Sequence, residues 1–198
     1  MTRHIDWGAL ALMTLRAPAE AAAIIAAWEL PRQVLWMGLA LVAILNTFLF
    51  SLSEMIVPTS MPLPGVITNP LVFFVTVAGG LIASVHVFYW TGRMLGAPVR
   101  DMGPLLALMI WLQALRGVVQ AAVLVLLLVS PAISALLVFA ASLYAVWILL
   151  NFLSVGLGLQ SVWRALGVLV AGSLALVLGI SILLSFIDVG AIGLIPNV

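Results

Sequence analysis

The sequence predicts an all-α membrane protein with five transmembrane helices, and three observations support this fold class. The first is composition, because 66% of the 198 residues are hydrophobic and only 7% are charged, against about 45–50% and 25% in soluble domains. The second is a set of five long apolar runs, and the third is the distribution of arginine between them. A soluble globular domain is excluded, since it would lack enough polar side chains to cover its surface.

Five runs are long enough to cross the hydrocarbon core of a bilayer, which takes about 20 apolar residues in a helix. The predicted spans are residues 34–53, 71–91, 105–129, 132–154 and 165–187. Only Ser130 and Pro131 separate the third and fourth spans, so we expect a tight hairpin in which Pro131 opens the second helix. A β-barrel is rejected because the runs are continuously apolar rather than alternating.

Arginine marks one side of the predicted bundle. Six of the seven arginines fall on that side: Arg3, Arg16, Arg32, Arg93, Arg100 and Arg164. None falls on the other side, and the seventh, Arg116, lies within the third span. The positive-inside rule therefore predicts a cytoplasmic N-terminus and an outer C-terminus, with residues 188–198 as an outer tail.

Residues 1–33 are expected to form a cytoplasmic segment whose amphipathic helix or helices lie in the membrane interface. Asp6 is suited to cap a first turn, and Pro18 fits a first helical position with Glu20 close behind it. One apolar face is predicted to contain Ala21, Ile24, Ile25 and Trp28. Trp7 and Trp28 are the expected interfacial anchors. The segment either docks on the bundle or bilayer, or recruits a cytoplasmic protein.

The outer loop between the first two spans is unusually apolar. Its prolines, which exclude a regular helix, are Pro58, Pro62, Pro64 and Pro70. Its aliphatic and methionine side chains are Met55, Ile56, Val57, Met61, Leu63, Val66 and Ile67. Because such a set would be an aggregation hazard in water, we expect the loop to be ordered and covered by the bundle, the bilayer surface or a partner.

Polar residues within the spans are the main candidates for a functional site, because each is costly to place in lipid. Gln113, Arg116 and Gln120 recur at a helical spacing on one face near mid-membrane. The other members of the predicted set are His86, Asn151 and Asn46. The set is either a polar track for an ion, a proton or a lipid head group, or a buried hydrogen-bond network. In a third reading, Arg116 meets an anionic lipid or another subunit.

Small residues predict close helix packing, within the chain or against a second copy of it. The positions singled out are Gly79, Gly80, Gly117 and Gly172. No catalytic motif or metal-ligand spacing occurs, and the chain contains no cysteine. We therefore expect a non-enzymatic protein without a cofactor or metal. Nucleic-acid binding is disfavoured because the arginines form no basic stripe.

Three segments carry a resemblance to a known family. They are LRAPAEAAAIIAAWELPR, FYWTGRMLGAP and YAVWILLNFLSVGLGLQSVWRAL. With five spans and matching positions at Gly92, Arg93, Gly96, Trp147 and Arg164, the chain resembles the Yip-domain membrane proteins over about residues 28–185. That family is named for interaction with Ypt/Rab-type GTPases and has no established catalytic residues to carry over. Eukaryotic members have a long cytoplasmic N-terminal region associated with GTPase contact, whereas this chain has about 33 residues there, which argues against a soluble GTPase partner.

These features together favour a scaffold or accessory subunit that binds lipids, other integral membrane proteins or copies of itself. The alternative is a small-substrate or lipid transporter that uses the polar residues around Arg116. Abundant alanine, and arginine without lysine, are typical of a high-GC bacterial gene. The expected location is therefore the bacterial inner membrane.

The predicted topology is testable with reporter fusions. Fusions after Arg100 and Arg164 should report a cytoplasmic position, and fusions at Ser60 and Asn197 an outer one, because the arginines divide six to none between the two sides. A cytoplasmic C-terminus would contradict the count of five spans.

Overall fold

The computed structural model describes residues 6–56 and 69–185, and all regular structure in these ranges is helical. Two short helices precede five long ones. The helices are α1 (Trp7–Arg16), α2 (Pro18–Ala26), α3 (Arg32–Ile56), α4 (Pro70–Met94), α5 (Gly103–Val129), α6 (Pro131–Gly156) and α7 (Val162–Ser185). The five long helices are each long and apolar enough to cross a membrane. The predicted all-helical class and the count of five are confirmed, and the helices extend the first four predicted spans by one to three residues at most ends.

Several helix starts follow the predicted local chemistry. The Asp6 carboxylate accepts a hydrogen bond from the Ala9 N–H at 3.0 Å and caps α1. Pro18 and Pro131 each occupy a first helical position, where their missing N–H leaves no donor unsatisfied. The Asn69 side chain caps α4 by accepting from the Leu71 N–H at 2.9 Å.

Two helices end in the same glycine-dependent turn, and both ends lie at one end of the bundle. In α4 the Ala97 N–H donates to the Gly92 carbonyl, and Gly96 has φ +84°. In α6 the equivalent left-handed residue is Gly158, with φ +67°. This double-bonded arrangement is the Schellman motif, which satisfies the last carbonyls of a helix. We call this side, where Arg32, Arg93, Arg100 and Arg164 lie, the arginine-rich end.

Close packing is concentrated in the half of the bundle nearest the arginine-rich end. A Cβ placed on Gly92 would lie 2.9 Å from Leu157, and one on Gly156 would lie 2.9 Å from Leu108. Glycine at these positions lets α6 approach α4 and α5 at distances that a side chain would prevent. Phe152, Leu153 and Leu157 are fully buried beside these contacts.

The opposite half of the bundle is much more open. Beyond Gly172 nearly every described side chain of α7 is exposed, and so are most of the side chains on the first half of α6. A specific contact in this half is the stacked pair Phe50 and Phe73, whose ring centroids are 3.9 Å apart. The surface that lipid or a partner would cover is therefore largest in this half.

The helices α1 and α2 pack along the side of the bundle against α5 and α6. A buried cluster joins Leu10, Ala22 and Ile25 to side chains of α5 and α6. Of the face predicted for α2, Ala21 and Ile25 are buried and Trp28 is half-buried, but Ile24 is 43% exposed and its expected place is taken by Ala22. The reason is that α2 is covered on one side by α1 and on another by the bundle. Its buried face is therefore wider than the single row of residues that the sequence predicts.

The apolar outer loop falls largely outside the described residues, as do Arg3, the predicted end of the fifth span and the tail 188–198. The predicted order and covering of residues 57–67 therefore stay a prediction. Met55 and Ile56, the last residues of α3, are exposed.

Glycine packing can be tested with two substitutions in one helix. A Cβ on Gly172 would lie 2.6 Å from the buried ring of Phe88, whereas one on Gly167 would meet no described residue within 4 Å. We expect Gly172→Ala to lower the free energy of unfolding by about 1–3 kcal/mol through overpacking. Gly167→Ala should leave it unchanged or raise it by up to about 1 kcal/mol, because alanine is the better helix former.

The measurement is the thermal unfolding midpoint of both variants in the same detergent. Equal midpoints for Gly172→Ala and Gly167→Ala would show that α7 does not rest on Phe88.

Candidate functional site: a cavity at the arginine-rich end

Three of the predicted intramembrane polar residues bond to their own helix. The side-chain amide of Asn46 donates to the Val42 carbonyl at 2.7 Å, and that of Asn151 donates to the Trp147 carbonyl at 2.8 Å. His86 places Nδ1 2.8 Å from the Ile82 carbonyl. Each bond reaches back four residues, which is how a short polar side chain is satisfied inside an apolar helix.

Arg116 has no partner of its own within residues 6–56 and 69–185. Its side chain is exposed on α5, and it makes no hydrogen bond or ion pair with any residue in those ranges. Gln113 and Gln120 are half-buried on the same helix. The predicted face therefore exists, but it does not close into an internal network around the guanidinium.

The structure brings two of the six predicted polar residues to one place. Asn46 and Gln113 line a groove of about 300 Å³ between α3 and α5, whose other lining residues are apolar or glycine. His86 lines a different cavity, while Arg116, Gln120 and Asn151 line neither of these. In the described ranges no hydrogen bond joins any two of the six, because the two asparagines and His86 are satisfied within their own helices.

The larger cavity, of about 390 Å³, lies at the arginine-rich end between α3, α4 and the start of α5. Its polar lining residues are Arg32, His86, Tyr89, Arg100 and Asp101. Its apolar lining residues include Trp36, Leu39, Ile82, Val85 and Leu106. Charged groups at a helix end and apolar side chains one to two turns deeper make this cavity amphipathic.

The main electrostatic feature of this cavity is two lining arginines whose guanidiniums have no ion-pair partner in residues 6–56 and 69–185. Arg32 opens α3, and Arg100 lies in the short segment between α4 and α5. Neither forms an ion pair with a carboxylate of the described chain. Asp101 contributes a single negative charge to the lining, so the fixed charge of the cavity is positive.

Tyr89 positions the segment that carries Arg100. The buried Tyr89 hydroxyl donates to the Arg100 carbonyl at 3.3 Å, and Arg93 Nη1 donates to the same hydroxyl at 3.5 Å. The Arg93 guanidinium also lies 5.7 Å from the centre of the Tyr89 ring and 5.4 Å from that of Trp90. These contacts are in the range of cation–π interactions, so Arg93 supports the wall of the cavity.

The orientation of His86 leaves one ring nitrogen available to the cavity. A carbonyl oxygen only accepts hydrogen bonds, so Nδ1 must carry the proton in the contact with Ile82. Nε2 is then an acceptor in the neutral imidazole and a donor in the imidazolium. Among the described residues, no group of three histidine or acidic side chains is placed to hold a metal ion.

The predicted packing and anchoring residues have different surroundings. Gly172 meets Phe88 closely, and a Cβ on Gly117 would lie 3.7 Å from Leu49. A Cβ on Gly79 or Gly80 would meet nothing within 4 Å in the part of the chain that the structure describes. Packing of those two against a second copy of the chain stays a prediction. Trp7 lies 5.9 Å from Trp28 and 5.9 Å from Trp111 by ring centroids, so the two expected anchors join an aromatic cluster on the bundle.

Sequence reasoning missed most of this cavity. The sequence pattern identifies Arg32 and Arg100 only as indicators of orientation, and it does not identify Asp101 or Tyr89 as lining residues. A usable signal was the Arg100–Asp101 pair in a segment bounded by Pro98 and Pro104, because prolines there keep both charges at a helix end. The spacing of residues along the sequence does not predict that α3 approaches this segment.

The chain matches no protein-family model, no curated protein and no solved structure with which it was compared.

Arg116 provides a test of what surrounds α5 in the membrane. An arginine at mid-depth costs about 2.5–3.5 kcal/mol unless a polar group meets it. Because the described chain supplies no such group, we expect Arg116→Leu to insert normally but to lose a protein or anionic lipid that co-purifies with the parent. Arg116→Lys should retain it.

Mass spectrometry of the three proteins in mild detergent is the measurement. Unchanged co-purifying protein and lipid in Arg116→Leu would contradict an external partner for this side chain.

Proposed function

We propose that this protein is a non-enzymatic membrane scaffold or accessory subunit that binds an anionic phospholipid at its arginine-rich end. The observation that carries the proposal is the cavity in which Arg32 and Arg100 both lack an ion-pair partner among the described residues. Basic pockets between transmembrane helices are a recurring way of holding acidic lipid head groups.

The lining matches the two chemical parts of a phospholipid. A guanidinium binds a phosphate through two parallel hydrogen bonds, which a compact ammonium group does not do. Leu39, Val85 and Leu106 line the cavity as well. They offer an apolar wall against which the first carbons of an acyl chain would pack.

The charge balance favours a phosphate diester with one negative charge. Two guanidiniums and the Asp101 carboxylate give a net charge of +1 when His86 is neutral. The carboxylate also provides an acceptor for a head-group hydroxyl, as in phosphatidylglycerol. His86 Nε2 adds a further hydrogen-bonding atom on the same side.

The proposal also specifies the membrane in which the protein lies and the side that its arginine-rich end faces. The arginine-rich end would face the cytoplasm of a bacterial inner membrane, where anionic lipids attract basic groups by about 1 kcal/mol per arginine. The resemblance to the Yip-domain family agrees with a scaffold role. Its positions Gly92, Arg93 and Gly96 form the α4 end that supports the cavity wall.

The transporter alternative receives less support from the geometry. The cavity at the arginine-rich end and the groove beside Asn46 have no lining residue in common. Leu39 lines the first space and Val42 the second, and these two buried residues are one helical turn apart on α3. A solute passing from one to the other would have to displace this packed layer.

Lipid selectivity of the purified protein tests the proposal. Arg32→Gln combined with Arg100→Gln removes both guanidiniums but keeps polar side chains of similar length. We expect the bound phosphatidylglycerol to fall by roughly 30-fold, which corresponds to about 1 kcal/mol for each arginine. Binding is measured by native mass spectrometry in mixed micelles containing phosphatidylglycerol and phosphatidylcholine.

Arg164→Gln is the matched control, because Arg164 is exposed near the same end of the bundle and does not line the cavity. This variant should bind phosphatidylglycerol as the parent does. Equal losses in the control and the double variant would show that a general positive surface, rather than this cavity, holds the lipid. No preference for phosphatidylglycerol in the parent would overturn the proposal.

A further inference from the structure

The turn between α1 and α2 lies far from the end of the bundle at which α3 begins. The Tyr144 hydroxyl donates to the Leu15 carbonyl, and Trp111 Nε1 donates to Thr14 Oγ1 at 3.0 Å. Tyr144 lies twelve residues before Gly156, the last residue of α6. At a rise of 1.5 Å per residue, Tyr144 is about 18 Å from that end of α6. Trp111, eight residues after Gly103, is about 12 Å from the start of α5, so the turn lies about 12–18 Å from the arginine-rich end.

The two helices form a hairpin that runs alongside the spans. Ala22 and Ile25 of α2 share a buried cluster with Ile148 and Phe152, which occupy the last third of α6. Trp7, which begins α1, lies 5.9 Å from Trp28, just beyond the end of α2. Both open ends of the hairpin are therefore near the arginine-rich end, and its turn points toward the opposite end.

The length of α6 allows the depth of Tyr144 in the bilayer to be calculated. A helix of 26 residues is about 39 Å long, roughly 9 Å more than the hydrocarbon core that it crosses. With α6 centred in the bilayer, Tyr144 lies about 13–14 Å inside the hydrocarbon boundary, close to the midplane. A hairpin bonded to Tyr144 cannot then lie flat among the head groups.

Several backbone polar groups at the turn are paired within the protein. The Ala17 N–H donates to the Met13 carbonyl at 2.7 Å, and the Ala17 carbonyl accepts from the Glu20 and Ala21 N–H groups at 3.1 Å. Pro18 has no N–H to satisfy, and Tyr144 supplies a donor to the Leu15 carbonyl. Pairing of this kind lowers the cost of placing non-helical backbone in a bilayer.

We propose that residues 7–26 form a re-entrant helical hairpin, which enters the bilayer from the arginine-rich side and turns at Ala17 within the hydrocarbon core. This inference rests on contacts of α1 and α2 and is independent of lipid binding in the cavity. Arg16 and Glu20 flank the turn, are exposed and carry opposite charges, so the charge of the turn sums to zero. Water and head groups retained by these two side chains would meet the turn from the lipid side.

The absence of cysteine makes the depth of the hairpin directly measurable. Ala9, Ala19, Ala23 and Ala145 are all exposed, and each can be changed to cysteine singly and labelled with a fluorophore. The full-length variants are reconstituted into vesicles whose lipids carry a nitroxide either on the head group or midway along the acyl chain. The ratio of the two quenching efficiencies reports the depth of each label.

We expect the Ala19→Cys label to be quenched several-fold more by the acyl-chain nitroxide, as the Ala145→Cys label in the middle of α6 should be. The Ala9→Cys label should be quenched mainly from the head group, and Ala23→Cys should give an intermediate ratio. Thermal unfolding midpoints equal to that of the parent establish that the labelled proteins are folded.

Equal head-group quenching of the Ala9→Cys, Ala19→Cys and Ala23→Cys labels would overturn the proposal, because a helix lying in the interface has no depth gradient. A shallow Ala19→Cys label beside a deep Ala145→Cys label would overturn it as well. Either result is separate from the phosphatidylglycerol measurement, which depends on Arg32 and Arg100 rather than on the depth of the hairpin.

Discussion

The closeness with which α6 approaches α4 and α5 is the constraint on which the arginine-rich end depends. Gly92 and Gly156 permit this approach, because a Cβ atom at either position would lie only 2.9 Å from a leucine side chain of the neighbouring helix. Helix association in lipid gains little from the hydrophobic effect and relies instead on close packing. With α6 held there, the Schellman turns of α4 and α6 meet, since a Cβ on Gly158 would lie 3.1 Å from Pro98. The segment that carries Arg100 begins at these turns, so the position of the cavity wall is set by the packing of the helices.

The two halves of the bundle have different physical characters. The half at the arginine-rich end contains both buried clusters, the short N-terminal helices and the larger cavity. The opposite half exposes most of its apolar side chains and has the Phe50–Phe73 stack between α3 and α4. Because polar side chains such as Asn46 and Asn151 bond to their own helices, they do not fasten one span to another. Close helix packing, rather than polar bonding between spans, is therefore concentrated at the end where we place lipid binding.

The sequence was sufficient for the helical class and the count of spans, because both follow from the length of apolar runs. Local helix starts at Asp6, Pro18 and Pro131 were also readable, since capping depends on nearby residues. The cavity was not, because Arg32 and Arg100 are 68 positions apart and meet only through helix packing. The helical spacing of Gln113, Arg116 and Gln120 likewise predicts that they share one face of α5. It does not predict which helix, lipid or partner contacts that face.

The hydrogen bonds of the N-terminal helices also govern the order of assembly. Thr14 bonds to a residue 97 positions later, and Leu15 to one 129 positions later. Synthesis adds about 5–20 residues per second, so α2 is complete roughly 6–26 s before the last residue of α6 exists. During that interval the docking surface for residues 7–26 has not been made. Helices α1 and α2 thus leave the ribosome before the spans on which they dock, and they reach their final place only after α3, α4 and α5 have been inserted.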